Sequence, residues 1–239
     1  MAKNKVVVDV NGRIRLMSET FVEIRDRIFR LGSRGRIEVY GHGFDFTNCE
    51  FIALPDRSPI MTALPIIIGL SGELGFKGCR LDGNGLRGLV QSVDGIRIKG
   101  CELIGGSSPR DPVIIMQSST SACGLACDNC SFIACTTVGE VLVSSAGGVN
   151  MRNCQFEACN VQGDLIRLNR MNGKGEFVNC SFKDCAAAFH LLSGGDVSKG
   201  GGKNCISLNC RAVDSIFSHS QDDCFDGKFI VSGEMMQFK

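Results

Sequence analysis

The stretch Val149-Asn150-Met151-Arg152-Asn153-Cys154-Gln155-Phe156-Glu157-Ala158-Cys159 holds the phrase that organises this chain. Apolar Val149 and Met151 stand two apart, Asn153 interrupts, and Cys154 and Phe156 resume the apolar spacing. Apolar residues two apart mark a β-strand with one buried face, because successive side chains point to opposite sides. The interruption marks a bend whose central residue takes a left-handed backbone conformation, which glycine adopts freely and asparagine tolerates.

Outward from this stretch the phrase repeats in both directions. It reads Phe44, Phe46, Asn48, Cys49, Phe51, then Leu74, Phe76, Gly78, Cys79, Leu81, then Ile96, Ile98, Gly100, Cys101, Leu103. It continues as Leu125, Cys127, Asn129, Cys130, Phe132, returns after Cys154 as Phe177, Asn179, Cys180, Phe182, and fades at Asn204 and Cys205. The cysteine steps of 30, 22, 29, 24, 26 and 25 residues average 26, a period that signals a solenoid. Stacking one coil on the next would pile these cysteines into an internal ladder at the strand spacing of about 4.8 Å. A second column, Cys135, Cys159, Cys185 and Cys210, stands five residues after the first. A third apolar patch closes most coils, as in residues 64–68, 113–116, 141–143, 165–168 and 189–192. Three short strands per coil predict a three-sided tube of about seven to eight coils. A leucine-rich repeat is the competing solenoid, but it needs a helical or irregular return that these coils do not carry.

This pattern resembles the right-handed parallel β-helix of the pectin lyase-like superfamily, and the likeness covers residues 5–225. The opening adds to it. Residues 19–31 place apolar side chains at 21, 24, 28 and 31, with Ser18 as an N-cap and Gly32 as a stop, which predicts a short N-terminal capping α-helix. Gly35 to Gly41 then reads as the first strand. The expected organisation is a single all-β domain: N-terminal strand and capping helix over 1–40, coils over 41–225, and a C-terminal strand or cap over 226–239.

The 239 residues include 14 cysteines, 30 glycines, one tyrosine and no tryptophan, and the net charge is +1. No apolar segment follows Met1-Ala2-Lys3-Asn4-Lys5, so the cysteines read as a reduced, buried packing ladder in an intracellular, cytoplasmic protein. Cys123, Cys127 and Cys130 form the one metal-like cluster, yet no second CxxC completes a zinc site, and no cofactor is expected. No run of about 18 apolar residues suggests a membrane span. Residues 1–37 hold nine Lys or Arg against four acids. That excess makes Arg25, Arg27, Arg30, Arg34 and Arg36 candidates for binding nucleic acid or another anion, although the aromatic residues of nucleic-acid platforms are missing.

In the superfamily resembled here, sugar-polymer enzymes keep their catalytic groups on the outer face of one sheet, which corresponds to the third patch. Two carboxylates are needed for hydrolysis. The outward candidates there, Arg167, His190 and Ser218, are the wrong types. Asp222 and Asp223, with His219 nearby, are the remaining catalytic candidates. Asp94, Arg97, Lys99 and His42 echo polygalacturonase phrases, but in the wrong order and too far from Asp222. A column of acids before the third patch, Asp111, Glu140, Asp164 and Asp214, could hold calcium, or could simply stand at turns. The glycine-rich stretch 194–203 lacks the lysine spacing and the strand-to-helix junction of a phosphate loop.

These readings favour a non-enzymatic solenoid that presents a flat surface to a macromolecular partner or to itself, in the manner of a virus- or phage-associated protein. Self-association would use the apolar tail containing Phe225, Phe229, Ile230, Val231, Met235, Met236 and Phe238. A polysaccharide-acting enzyme, hydrolase before lyase, is the alternative, and nucleic-acid binding through the basic N-terminus is the second.

Overall fold

The computed structural model describes residues 5–8, 12–32, 34–55, 65–108, 112–117, 124–137, 141–145, 148–168, 175–188, 192–194, 202–203, 205–208, 210–212 and 230–232. Every regular element among them is a β-strand, and the strands wind as a parallel three-sheet solenoid. Sheet one takes the strand before each Asn or Gly bend, such as Ile96–Lys99, Leu125–Asp128 and Val149–Arg152, and has eight strands. Sheet two takes the strand after the cysteine, such as Gln155–Glu157. Sheet three takes the third patch, such as Asp164–Leu168. All pairings are parallel except one, in which Lys5–Val8 runs antiparallel to Ile14–Ser18 and adds a hairpin to the N-terminal edge of sheet three. At the other end Ile230–Ser232 extends sheet two by pairing with Ile206–Leu208, so part of the apolar tail builds the solenoid itself.

The bends behave as their residue types require. Asn48, Gly78, Gly100, Asn129, Asn153 and Asn179 all have φ between 53° and 61°. Asn204 lies outside the described residues. At each corner the backbone amide of the following cysteine turns into the core, where no ladder carbonyl meets it. Sulfur meets it instead: the Cys49 amide donates to Cys79 Sγ at 3.4 Å and the Cys79 amide to Cys101 Sγ at 3.3 Å. The thiols reach the carbonyls of earlier coils, as Cys79 Sγ to Phe46 O at 3.2 Å, Cys130 Sγ to Ile98 O at 3.4 Å and Cys180 Sγ to Met151 O at 3.4 Å. Cysteine therefore fits this slot for two reasons. It is small and apolar enough for the core, and its sulfur can both accept and donate where an aliphatic side chain would strand an amide.

The second cysteine column follows the same rule with less suitable residues. Ala134, Ala158 and Asp184, each directly before Cys135, Cys159 and Cys185, have φ of 50°, 53° and 53°. This extra corner splits sheet two in the later coils, so Glu102–Ser108 pairs with both Ser131–Ile133 and Thr136–Thr137. All twelve described cysteines are free and buried. Burial pushes the Cys49 thiol up, and contact with the Cys159 thiol holds Cys185 up at about 12, so these groups stay protonated at neutral pH. Aromatic stacking fills the tube beside them, with ring centroids 4.4 Å apart for Phe132 and Phe156 and 5.0 Å for Phe156 and Phe182.

The capping helix expected over residues 19–31 is not formed. Val22–Arg25 and Ile28–Leu31 are strands of the first coil, joined by a left-handed Asp26 with φ 54°. The register shows why: Val22 and Ile24 align with Phe44 and Phe46, and Phe29 and Leu31 with Phe51 and Ala53. Asp26 and Arg27 thus stand where Asn48 and Cys49 stand one coil later. The helical spacing was carried by Phe21 and Ile28, which point outward and are 52% and 57% exposed.

A buried cation anchors the return from sheet two to sheet three. Arg87 is 3% exposed and donates to the carbonyls of Gly32 at 3.1 Å, Gly35 at 2.5 Å and Pro65 at 3.2 Å, tying three coils together. Desolvation lowers its pKa to about 10, which still leaves it charged at neutral pH. Replacing it with an apolar side chain leaves buried carbonyls unmet. Arg87→Met is expected to cost about 2 to 4 kcal/mol in urea denaturation. Ala158→Gly should have the opposite sign. It relieves an L-residue held at positive φ and is expected to stabilise by about 0.5 to 1 kcal/mol in the same assay, net of the added freedom of the unfolded chain.

Candidate binding trough on sheet one

The parallel register of sheet one turns its outward residues into two columns. Asp45, Gly75, Arg97, Ala126, Asn150 and Glu176 form one, and Thr47, Lys77, Lys99, Asp128 and Arg152 the other. Gly75 has no side chain and Ala126 only a methyl, so the first column is low on either side of Arg97. The result is an open trough of about 610 Å³ lined by Asp45, Gly75, Lys77, Arg97, Lys99, Ala126, Asp128, Asn150, Arg152 and Asn153. From the Asp45 coil to the Asn150 coil it runs four strand spacings, about 19 Å along the axis.

Gly75 makes room for its neighbour. The Asp45 carboxylate folds over it so closely that an added methyl would lie 1.8 Å from Oδ1. That oxygen is buried without a hydrogen bond, and its nearest cation is Arg97 Nη2 at 3.7 Å. Desolvation raises the Asp45 pKa, Arg97 opposes the shift, and the charges of Glu23 and Glu73 add to it.

The cations in the middle of the trough are loosely held. Arg97 Nη2 lies 3.4 Å from Glu73 and Lys99 Nζ lies 3.6 Å from Asp128, while Lys77 forms no ion pair among the described residues. Several pairs elsewhere are closer, at 2.6 Å for Arg25 with Glu23, 2.9 Å for Lys183 with Glu157 and 2.8 Å for Arg167 with Asp164, while Arg80 on sheet two also stands 3.4 Å from Asp82 and from Glu102. Arg152, at the far end, is bound to Glu176 at 3.1 Å.

The structure disperses the arginines of the basic N-terminus around the first coil. Arg25 sits on the outer face of sheet one beside Glu23, Arg27 is exposed at the corner, and Arg30 lies on sheet two. Arg34 is exposed in the return, and Arg36 is mostly buried, donating to Glu38 at 2.6 Å. Glu38 is itself 3% exposed and also accepts from Arg15 at 3.1 Å and Tyr40 at 3.2 Å. Burial alone would raise its pKa, but Arg36, Arg15 and Tyr40 together hold it below the usual range. This knot braces sheet three and leaves no single basic face.

Of the acidic column, Asp164 is buried and bonded to Arg167 at 2.8 Å, so that pair is internal to sheet three. Asp111, Glu140 and Asp214 lie outside the described residues, as do Asp222, Asp223, His219, His190 and Ser218. Among the described residues no group of three or more His, Cys, Asp or Glu side chains is arranged to hold a metal ion, and no helix is long and apolar enough to cross a membrane. Arg97 and Lys99, which echo a polygalacturonase phrase in the sequence, stand here on the outer face of sheet one beside Asp45, Lys77, Asp128 and Arg152, which no spacing within a single coil singles out. The signal was present in the columns: two small residues, Gly75 and Ala126, flanking an arginine in consecutive coils.

The raised carboxyl gives a test. A carboxyl whose pKa is higher folded than unfolded loses stability as pH rises from its unfolded value, about 3.9, through the folded one. Asp45→Asn removes that loss. It is expected to raise the melting temperature near pH 7 by about 2 °C, and the gain should vanish at about pH 3, where Asp45 is protonated in both states, as followed by circular dichroism. No family model, curated protein or solved structure matches this chain, so the functional reading rests on geometry.

Proposed function

We propose that this chain is a non-enzymatic β-solenoid that binds a macromolecular partner through the outer face of sheet one. The observation that carries this reading is the trough itself, long, shallow and open, with its floor lowered by Gly75 and Ala126. A small substrate is held in an enclosed cleft that removes most of its surface from water, whereas an open strip over several coils suits an extended ligand. The resemblance to pectin lyase-like β-helices supports the same reading only at the level of architecture, because that fold serves both enzymes and binding proteins.

One arrangement in the trough favours the enzymatic alternative. Asp45 and Glu73 both approach Arg97 Nη2, at 3.7 and 3.4 Å, so their nearest oxygens are at most about 7 Å apart, which brings together the two carboxylates that glycoside hydrolysis needs. The guanidinium between them, however, fills the place where a glycosidic oxygen or a water would have to stand. Binding is therefore the preferred reading.

The test compares the protein with Ala126→Leu, which fills the trough from an exposed position without adding charge and leaves the core intact. Both are immobilised and offered acidic and basic peptides, polysaccharides and oligonucleotides. At least one class should be retained by the native protein, released by the variant, and recovered at unchanged mass. Equal retention by the two proteins, or cleavage of any polymer, would overturn the proposal.

A further inference from the structure

We infer that the partner of the sheet-one trough is an extended polypeptide segment with a short cluster of acidic side chains, which would lie along the solenoid axis against Lys77, Arg97 and Lys99. This rests on the binding reading above and specifies its ligand.

Three observations carry it. The first is charge in sequence along the trough. Asp45 stands at one end, Lys77, Arg97 and Lys99 occupy the next two coils, Asp128 follows, and Arg152 closes the far side. A uniform polyanion laid along this line would meet cations in the middle and a carboxylate on either side. Like charges brought together in this way cost several kcal/mol and select against the wrong partner. A polypeptide can place acids in the middle and neutral or basic residues at the flanks.

The second observation is the state of the cations. Charge-assisted hydrogen bonds between ammonium or guanidinium groups and carboxylates are about 2.7 to 2.9 Å long. Arg97 reaches Asp45 and Glu73 only at 3.7 and 3.4 Å, Lys99 reaches Asp128 only at 3.6 Å, and Lys77 pairs with none among the described residues. These three groups retain hydrogen-bonding capacity that the tight pairs elsewhere have already used. An arriving carboxylate could engage them without first breaking a good ion pair.

The third concerns what is missing from the lining. Strips that bind single-stranded nucleic acid stack bases on aromatic side chains. Phe76 is the only aromatic residue lining the trough, and it is 2% exposed, its side chain packed in the core. Asn150 and Asn153 line it instead, each keeping one amide N–H and one carbonyl lone pair for a peptide backbone after its bonds to Glu176 and Arg152, and to Asp128 and Asn179, respectively. At about 3.3 Å per residue, the trough accommodates about six residues of extended chain.

The probe is a short synthetic peptide with three adjacent glutamates flanked by a lysine on each side, labelled with a fluorophore and titrated by anisotropy. Dodecathymidylate and dextran sulfate serve as the uniform polyanions. The peptide should bind and weaken at least about tenfold between about 50 and about 300 mM salt. The exposed double substitution Lys77→Glu with Lys99→Glu should lose at least about tenfold in affinity, and Ala126→Leu, which fills the floor without adding charge, a similar amount, with melting temperatures unchanged. If dodecathymidylate or dextran sulfate binds through the trough and the peptide does not, the acidic-peptide inference falls while the binding reading stands. If peptide binding is the same in the native protein, the double variant and Ala126→Leu, both fall.

Discussion

The amide that follows each left-handed corner points into the core, and the manner in which it is satisfied governs the rest of this structure. The corners before the cysteines turn at a residue with positive φ, and each such turn takes one backbone donor out of the ladder. Here the sulfur of the next cysteine accepts from that donor, as Cys79 does for Cys49 and Cys101 for Cys79. Several of the thiols in turn reach a carbonyl of an earlier coil, as Cys79 does at Phe46 and Cys130 at Ile98. The columns of cysteines are therefore a hydrogen-bonding device as well as packing. A valine or alanine in the same place would fill similar volume and leave the amide orphaned, a cost of about 1 to 3 kcal/mol for each buried group.

Corners of this kind also fix register, and register decides the surface. A one-residue slip in any coil would send its inward residues out and its outward residues in. Because Asn153 aligns with Asn129 and Asn179 on the two sides, the outward residues one and three positions ahead of the corner repeat without drift and fall into straight columns. The asparagines reinforce this alignment from outside, with Asn179 Nδ2 donating to Asn153 Oδ1 at 3.0 Å and Asn153 Nδ2 to Asp128 Oδ1 at 3.4 Å. The trough is a consequence of that order: Gly75 and Ala126 can lower one column locally only because the columns are straight.

Much of this was legible from residue spacing. Period, bend residues and buried cysteines follow from the phrase around Asn153, since a strand that must kink at a fixed place leaves few residue types for the kink. The first coil was misread because Phe21, Ile24, Ile28 and Leu31 keep helical spacing, while Asp26 and Arg27 disguise the corner by replacing asparagine and cysteine. Periodicity within one segment competed there with periodicity between coils, and the pairing with Phe44, Phe46, Phe51 and Ala53 prevailed. The second corner was hidden for a related reason: alanine at positions 134 and 158 carries no signature of positive φ, so only the backbone reveals it. Arg87 was invisible too, because its three carbonyl partners lie on segments up to 55 residues away.

The division of labour between inside and outside explains why the candidate site was hard to read. Inward positions answer to volume and to one recurring amide, so they repeat from coil to coil and announce themselves. Outward positions answer only to solvent and to their column neighbours, so chemistry there is written across coils, about 25 residues at a time, in register with the fold. Tight pairs such as Lys183 with Glu157 bring adjacent coils together and use up both charges. Loose ones such as Lys99 with Asp128 contribute little to stability when exposed, and leave the cation available to a third group. On a surface where neutralisation between coils would have been easy, the run from Lys77 to Lys99 is the place where it was not achieved. That shortfall, set above a floor emptied by Gly75 and Ala126, distinguishes this strip from the rest of sheet one.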